Sequence, residues 1–324
     1  MHRVQRMESL RPMTSGEILN LTTMAFREIG MAILRPTFSA ATLVYVAFMM
    51  MTQLILPQMF TTRAPHSVSS QVSEVATTVV LGIFTALPIL VIGLSIIITH
   101  SVHATADYVS NRWVHEGERQ ARSDQSLKLT MWLTLRTLVF ACSGLLITLF
   151  LLLASALLND IRPDLSAVAG GIAIFSSVVA LAIFLYVLVR HSLAPAAALL
   201  ENAPNHEAPR RSIQLLRTYR GAGSGDDSIV AIGLSLTLLG LCFWGGIEAI
   251  YGTLGVIPWL TNVLGRHWWG EIAMSLATGL PYLFAFWVIV PIYSVGTTLV
   301  FFERKIRLEG YDISLLHDEL RVKR

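Results

Sequence analysis

Six stretches of this chain carry no Asp, Glu, Lys or Arg: 36 to 62, 75 to 106, 137 to 159, 165 to 189, 228 to 247 and 272 to 302. Each reaches the roughly 20 residues that an α-helix needs to cross a hydrocarbon core. A soluble fold has no use for six such runs. Charged residues make up only 14% of the 324, against roughly 25% in soluble globular domains, and mean hydropathy is +0.61. The runs therefore predict an all-α, polytopic membrane protein with six transmembrane helices in a single membrane domain, 1–324.

The placement of the charges orients those helices. Of 24 Lys and Arg residues, only Arg63, Arg162 and Arg266 fall in the first, third and fifth connections, and the other 21 flank the opposite ends. Basic residues accumulate in cytoplasmic loops, so this split predicts both termini and the two long loops in the cytoplasm. Net charge is only +3 and forms no basic stripe, so nucleic acid is not an expected partner. Cys142 and Cys242 fall inside the third and fifth spans, where thiols pack as small hydrophobes. The first 35 residues lack the pattern of a cleavable signal peptide, so the first span is expected to direct insertion.

Polar starts precede three of the spans. Thr14-Ser15-Gly16-Glu17 reads as a capping box, and Ile18, Leu21, Thr22, Ala25, Phe26 and Ile29 then gather on one helical face. Similar short stretches occur at Ser126-Leu127-Lys128-Leu129 and at Arg211 to Leu216. All three are expected as cytoplasmic amphipathic helices lying in the headgroup plane. A shift of 193 residues lays the second span over the sixth with ten identities in the 36 positions from 82. Thr85, Pro88, Ser101, Thr105, Glu116 and Gly117 fall on Thr278, Pro281, Ser294, Thr298, Glu309 and Gly310. Three parallel helical-hairpin repeats follow as an expectation, 13-117, 118-203 and 204-310. Pro88 and Pro281 are expected to kink their spans, and Gly170-Gly171, Gly233, Gly240, Gly245 and Gly246 to bring helices close together. Gly117 and Gly310 are expected to end rods that run past the membrane surface, with Arg304, Lys305 and Arg307 on the last turns beside anionic headgroups. The segment 249 to 270, with Trp259, Trp268 and Trp269, reads as an outer interfacial turn.

Few residues carry chemistry. His100, His103 and Asp107, at i, i+3 and i+7, put two imidazoles and a carboxylate on one helix face, a weak metal candidate. Their shifted counterparts, Tyr293, Gly296 and Val300, form no metal site, so the reading preferred here is a polar helix end without a metal or other cofactor. Glu248 closes the fifth run near the outer interface and reads as an interfacial or helix-helix contact, and Gln53 as an interhelical hydrogen-bond partner.

Two segments resemble a known family. The run Arg190-His191-Ser192-Leu193-Ala194-Pro195-Ala196, with Leu200-Glu201 and Ala208-Pro209-Arg210-Arg211-Ser212-Ile213-Gln214-Leu215, resembles the fourth-loop signature of the bacterial glycerophosphodiester phosphodiesterase membrane-domain family. The opening Arg11 to Leu19 and the closing Thr297 to Asp312 are similar to that family's ends. The resemblance implies a six-helix membrane protein of the bacterial inner membrane, marks Glu201 and Ser212 as structural residues, and supplies no catalytic residues, because the family's name comes from members fused to a soluble barrel. The function expected is a non-enzymatic protein that organises, anchors or assists envelope partners. A transporter or channel for a small or amphiphilic solute is the alternative, and a membrane enzyme using His100, His103 and Asp107 ranks third.

Overall fold

A backbone entering an apolar phase must pair its own amides and carbonyls, and helices do this within one segment. The computed structural model describes residues 14–50, 68–110, 126–140, 151, 163–201, 203–204, 206–217, 225–255, 259, 262–263 and 279–309. No strand occurs among them. Helix α1 is Ser15–Met50, α2 is Val68–Ser110, and α3 covers 126–140. Pro163–His191 forms α4, Ala194–Leu200 forms α5, Ala208–Arg217 forms α6 and Gly225–Thr253 forms α7. Finally, α8 starts as Leu280–Phe284, passes through a π-helical turn, Ala285–Ile289, and ends as Val290–Glu309.

Five helices are long and apolar enough to cross a membrane: α1, α2, α4, α7 and α8. The expected third span, 137 to 159, lies almost wholly outside the described residues, as do Gln53 and Cys142. Thr14 caps α1 as its sequence requires: its amide donates to Glu17 Oε2 at 2.8 Å, and the Glu17 amide donates to Thr14 Oγ1 at 3.3 Å.

At the centre, α1, α2 and α8 pack against one another. Ala40, Ala41, Val44 and Ile97 close the α1–α2 seam, and Ala25, Ile29, Ile33, Val295 and Leu299 close the α1–α8 seam. Contact is tightest at glycines. A Cβ added at Gly93 would meet Val44 Cγ2 and, at 3.0 Å, the carbonyl oxygen of Ala40; one at Gly279 would lie 2.7 Å from both Met49 Sδ and Tyr45 Oη. Hydroxyls in these helices bond to the carbonyl a turn back, Thr22 to Ile18 at 2.7 Å and Thr37 to Ile33 at 2.8 Å, so they can be buried without an outside partner.

Several expectations need correction here. The first two amphipathic stretches are not separate headgroup helices: residues 15–50 form one rod through Pro36, and 126–140 run continuously. The face predicted to meet lipid is covered by protein, with Ile18, Thr22, Ala25 and Ile29 all buried. Only α6 is a separate short helix, and its Leu215 and Leu216 are likewise buried in the main core. Pro88 lies inside α2, but Pro281 sits in the first turn of α8 behind Gly279, where a missing amide costs nothing. Among the described residues the glycines expected to bring helices together mostly do not: none of these residues lies within 4 Å of a Cβ built at Gly171, Gly233, Gly245 or Gly246. These residues belong to α4 and α7, which carry long rows of exposed apolar side chains. After Thr253, Gly255 takes φ +60° and ends α7 in a conformation that L side chains rarely adopt.

Candidate functional site

One end of the bundle is far more polar than the rest. There α1, α3 and α7 begin and α2, α4 and α8 finish, as shown by Ser15 against Ser228 (3.0 Å between hydroxyls), Thr99 against Thr130 (3.1 Å) and Ser95 against Thr134 (3.3 Å). The last two pairs step in opposite directions along α2 and α3, so those helices run antiparallel.

The site is built around the turn that follows α4. Ser192 and Leu193 break the helix, and Pro195 in the first turn of α5 restarts it without needing an amide acceptor. Five of the seven α5 residues are buried, which pins this short helix into the core. Ser212 on α6 closes the turn: its hydroxyl donates to the Arg190 carbonyl at 2.7 Å and accepts from the Leu193 amide at 3.3 Å. A fully buried serine thus satisfies two backbone groups that the helix break leaves without helical partners.

Glu201, directly after α5, receives two side chains. Arg211 Nε lies 3.0 Å from Oε2 and Nη2 3.2 Å from Oε1, a forked pairing that suits a planar guanidinium. Lys305 Nζ from α8 lies 3.0 Å from Oε1. Burial raises the Glu201 pKa, but the hydrogen bonds and charges of Arg211 and Lys305 outweigh it and hold the carboxyl below its ordinary value of 4.5. Next to it, Glu303 and Arg304 are 0% and 1% exposed, with Arg304 Nε 3.2 Å from Glu303 Oε2. This corrects the headgroup expectation for Arg304 and Lys305. The lower half of α8 is enclosed by α1, α2, α6 and α7, so its cations meet protein carboxylates.

The remaining sequence candidates are dispersed. His100 is exposed and His103 and Asp107 half-buried on α2; among the described residues no group of three or more His, Cys, Asp or Glu side chains is placed to hold a metal. Glu248 accepts from the indole of Trp244, one turn earlier on α7, at 3.3 Å and is exposed. Ser101 and Ser294 are both buried, donating to Ile97 at 2.8 Å and Val290 at 3.0 Å, while Thr105 and Thr298 each donate to them at 2.7 Å. The aligned positions therefore share one local pattern, although the π turn of α8 faces plain α-helix in α2. Gly117 and Gly310 lie outside the described residues; α8 does continue unbroken past Phe302 to Glu309.

A second feature escaped the sequence. Trp287, in the π turn, donates its indole N–H to the Leu34 carbonyl of α1 at 2.8 Å, two residues before Pro36, and meets the Phe38 ring edge-on at 4.9 Å. Phe48 touches Tyr282 and Phe286 in the same seam. Pro36 marks one partner, but nothing in local sequence marks a π turn.

No family model, curated protein or solved structure matches this chain.

Proposed function

We propose that the chain is a multi-pass protein of a bacterial inner membrane, with its polar end and both termini cytoplasmic, and that it serves as a non-enzymatic scaffold that organises or anchors envelope partners. Six spans, three parallel hairpin units and membership of the glycerophosphodiester phosphodiesterase membrane-domain family belong to the same reading. The observation that carries it is α4. Its exposed apolar side chains, among them Ile172, Ile174, Phe175, Val178, Leu181, Ile183 and Leu185, spread over more than half of the helix circumference, with Ala180 buried on the remaining face. An apolar surface of this kind needs lipid or another helix against it. The groups at the polar end support the reading too, because Glu201 and Ser212 are committed to joining α4, α5, α6 and α8.

The test is photocrosslinking in living cells from Phe175 on α4, with Ile97 in the α1–α2 seam as the buried control. Discrete protein adducts at Phe175 support the scaffold; adducts to lipid alone along all of α4 oppose it. Topology is read separately, from impermeant thiol labelling of Arg63→Cys, Arg162→Cys and Arg266→Cys in a cysteine-free background. All three should react from outside.

The meeting of the π turn with Pro36 supports the second reading, transport of a small or amphiphilic solute, since π turns within helices frequently accompany functional sites. Solute or lipid movement in reconstituted vesicles, reduced by Trp287→Phe, would favour transport over the scaffold.

A further inference from the structure

Two buried nitrogens at the rim of the polar end lack any hydrogen-bond partner: Nη1 of Arg190 and Nδ1 of His191. A buried polar nitrogen with no partner is costly, and its presence asks for a missing one. The backbone behind them is fixed, because the Arg190 carbonyl is held by Ser212. Its guanidinium lies 5.4 Å from the centre of the Tyr186 ring, one turn earlier on α4. On α3, Arg136 lies near enough to His191 for its charge to act on the imidazole, and its guanidinium is 5.7 Å from the Phe140 ring. Trp132, one turn before Arg136, and Tyr186 are more than half exposed.

Position gives the ligand its class. Arg136 directly precedes the uncharged run 137–159, and Arg190 directly follows the run 165–189. Both therefore stand where an apolar span meets its polar end, with tryptophan and tyrosine beside them, the residues that favour the membrane interface. Past the cations, Phe140 and Leu185 face outward and give acyl chains an apolar surface. Guanidinium groups suit phosphate oxygens, and the cytoplasmic leaflet supplies anionic phosphate. We propose that Arg136, Arg190 and His191 seat the phosphate of an anionic phospholipid between α3 and α4. The proposal rests on the membrane reading above.

The experiment uses the full chain in mild detergent and follows lipid retention by native mass spectrometry and thermal protection by added lipid. The probes are phosphatidylglycerol, phosphatidylcholine and inorganic phosphate. The unmodified protein should retain phosphatidylglycerol over phosphatidylcholine and gain no protection from inorganic phosphate. Arg190→Gln and Arg136→Gln should each weaken phosphatidylglycerol binding about fivefold, as expected for one cation near a phosphate surface. Arg210→Gln, an exposed arginine on α6, should leave it unchanged. Phosphatidylglycerol binding by the two seat variants as tight as that of the unmodified chain, an equal loss in Arg210→Gln, or equal protection by inorganic phosphate overturns the lipid seat. Should Arg190→Gln fail to give monodisperse protein, Arg136→Gln and the lipid preference of the unmodified chain decide. Alkaline carbonate extraction separates the two readings. A chain released from membranes loses the membrane reading itself, whereas one that stays without lipid preference loses only the seat.

Discussion

The inner helices α1, α2 and α8 and the outer helices α4 and α7 are all apolar enough to span a bilayer, yet they are used in opposite ways. Of the apolar windows, 44% is buried in both α2 and α8, against 17% in α7 and 6% in α4. Glycine shows the same division. Gly93 lets α2 approach the α1 backbone and Gly279 leaves room for the Met49 and Tyr45 side chains, while among the described residues nothing lies within 4 Å of a Cβ built at Gly171, Gly233, Gly245 or Gly246. Hydrophobicity alone cannot sort helices in lipid, where tails are as apolar as leucine; close packing and hydrogen bonds do the sorting. The inner trio has both, in its glycine contacts and in Trp287 bonded to Leu34.

Overfilling the inner seam should produce the largest effect. Gly93→Leu is expected to cost about 3 kcal/mol, since the side chain would meet both Val44 and the Ala40 backbone. Unfolding of the purified protein in a denaturing detergent measures it. A wild-type transition for this variant would erase the distinction between inner and outer helices. Removing charge from the polar end comes next. Glu201→Gln leaves Arg211 and Lys305 without their carboxylate and should cost about 2 kcal/mol. The pH dependence has a definite sign. Because the Glu201 carboxyl is held below 4.5, its contribution is complete above the unfolded-state value and lost as pH falls through the lower folded-state value. A stability profile below pH 4.5 should therefore be flatter in Glu201→Gln than in the unmodified chain. A smaller loss, about 1 kcal/mol, is expected for Trp287→Phe, which keeps a ring but removes the indole bond to the Leu34 carbonyl. Smallest of all is Gly245→Ala on α7, where added helix propensity and open space should give a change within about 0.5 kcal/mol, if anything stabilising.

Local features were the readable ones. The capping box at Thr14 involves residues three apart, and the uncharged runs mark the helices because each lies in one continuous segment. The family-like motif drew attention to Glu201 and Ser212, and both lie at the junction between α4, α5 and α6. Lys305 was misjudged because its partner stands 104 residues away in sequence, and a cation after an apolar run looks the same whether lipid or protein covers it. Gly93 and Gly279 were missed for the same reason: a close approach depends on the facing helix. The unpartnered Arg190 and His191 nitrogens, likewise, depend on what the fold places around the end of α4.

Helices α1 and α8 share a core, and this constrains the order in which the bundle can close. Ile18 near the start of α1 lies in one cluster with Val300, Phe301 and Phe302 near the end of α8. A ribosome that has made the earlier helices still lacks the segment that covers Ile18, so closure of the polar end must wait until α8 has been made. Until then, Ile18 and Leu215 have no Phe301 to bury them, and the nascent chain offers that surface to chaperones and membrane proteases. Chains ended by a stop codon at Val290 should accordingly insert and then be degraded far faster than the full chain, a difference that pulse-chase labelling would reveal.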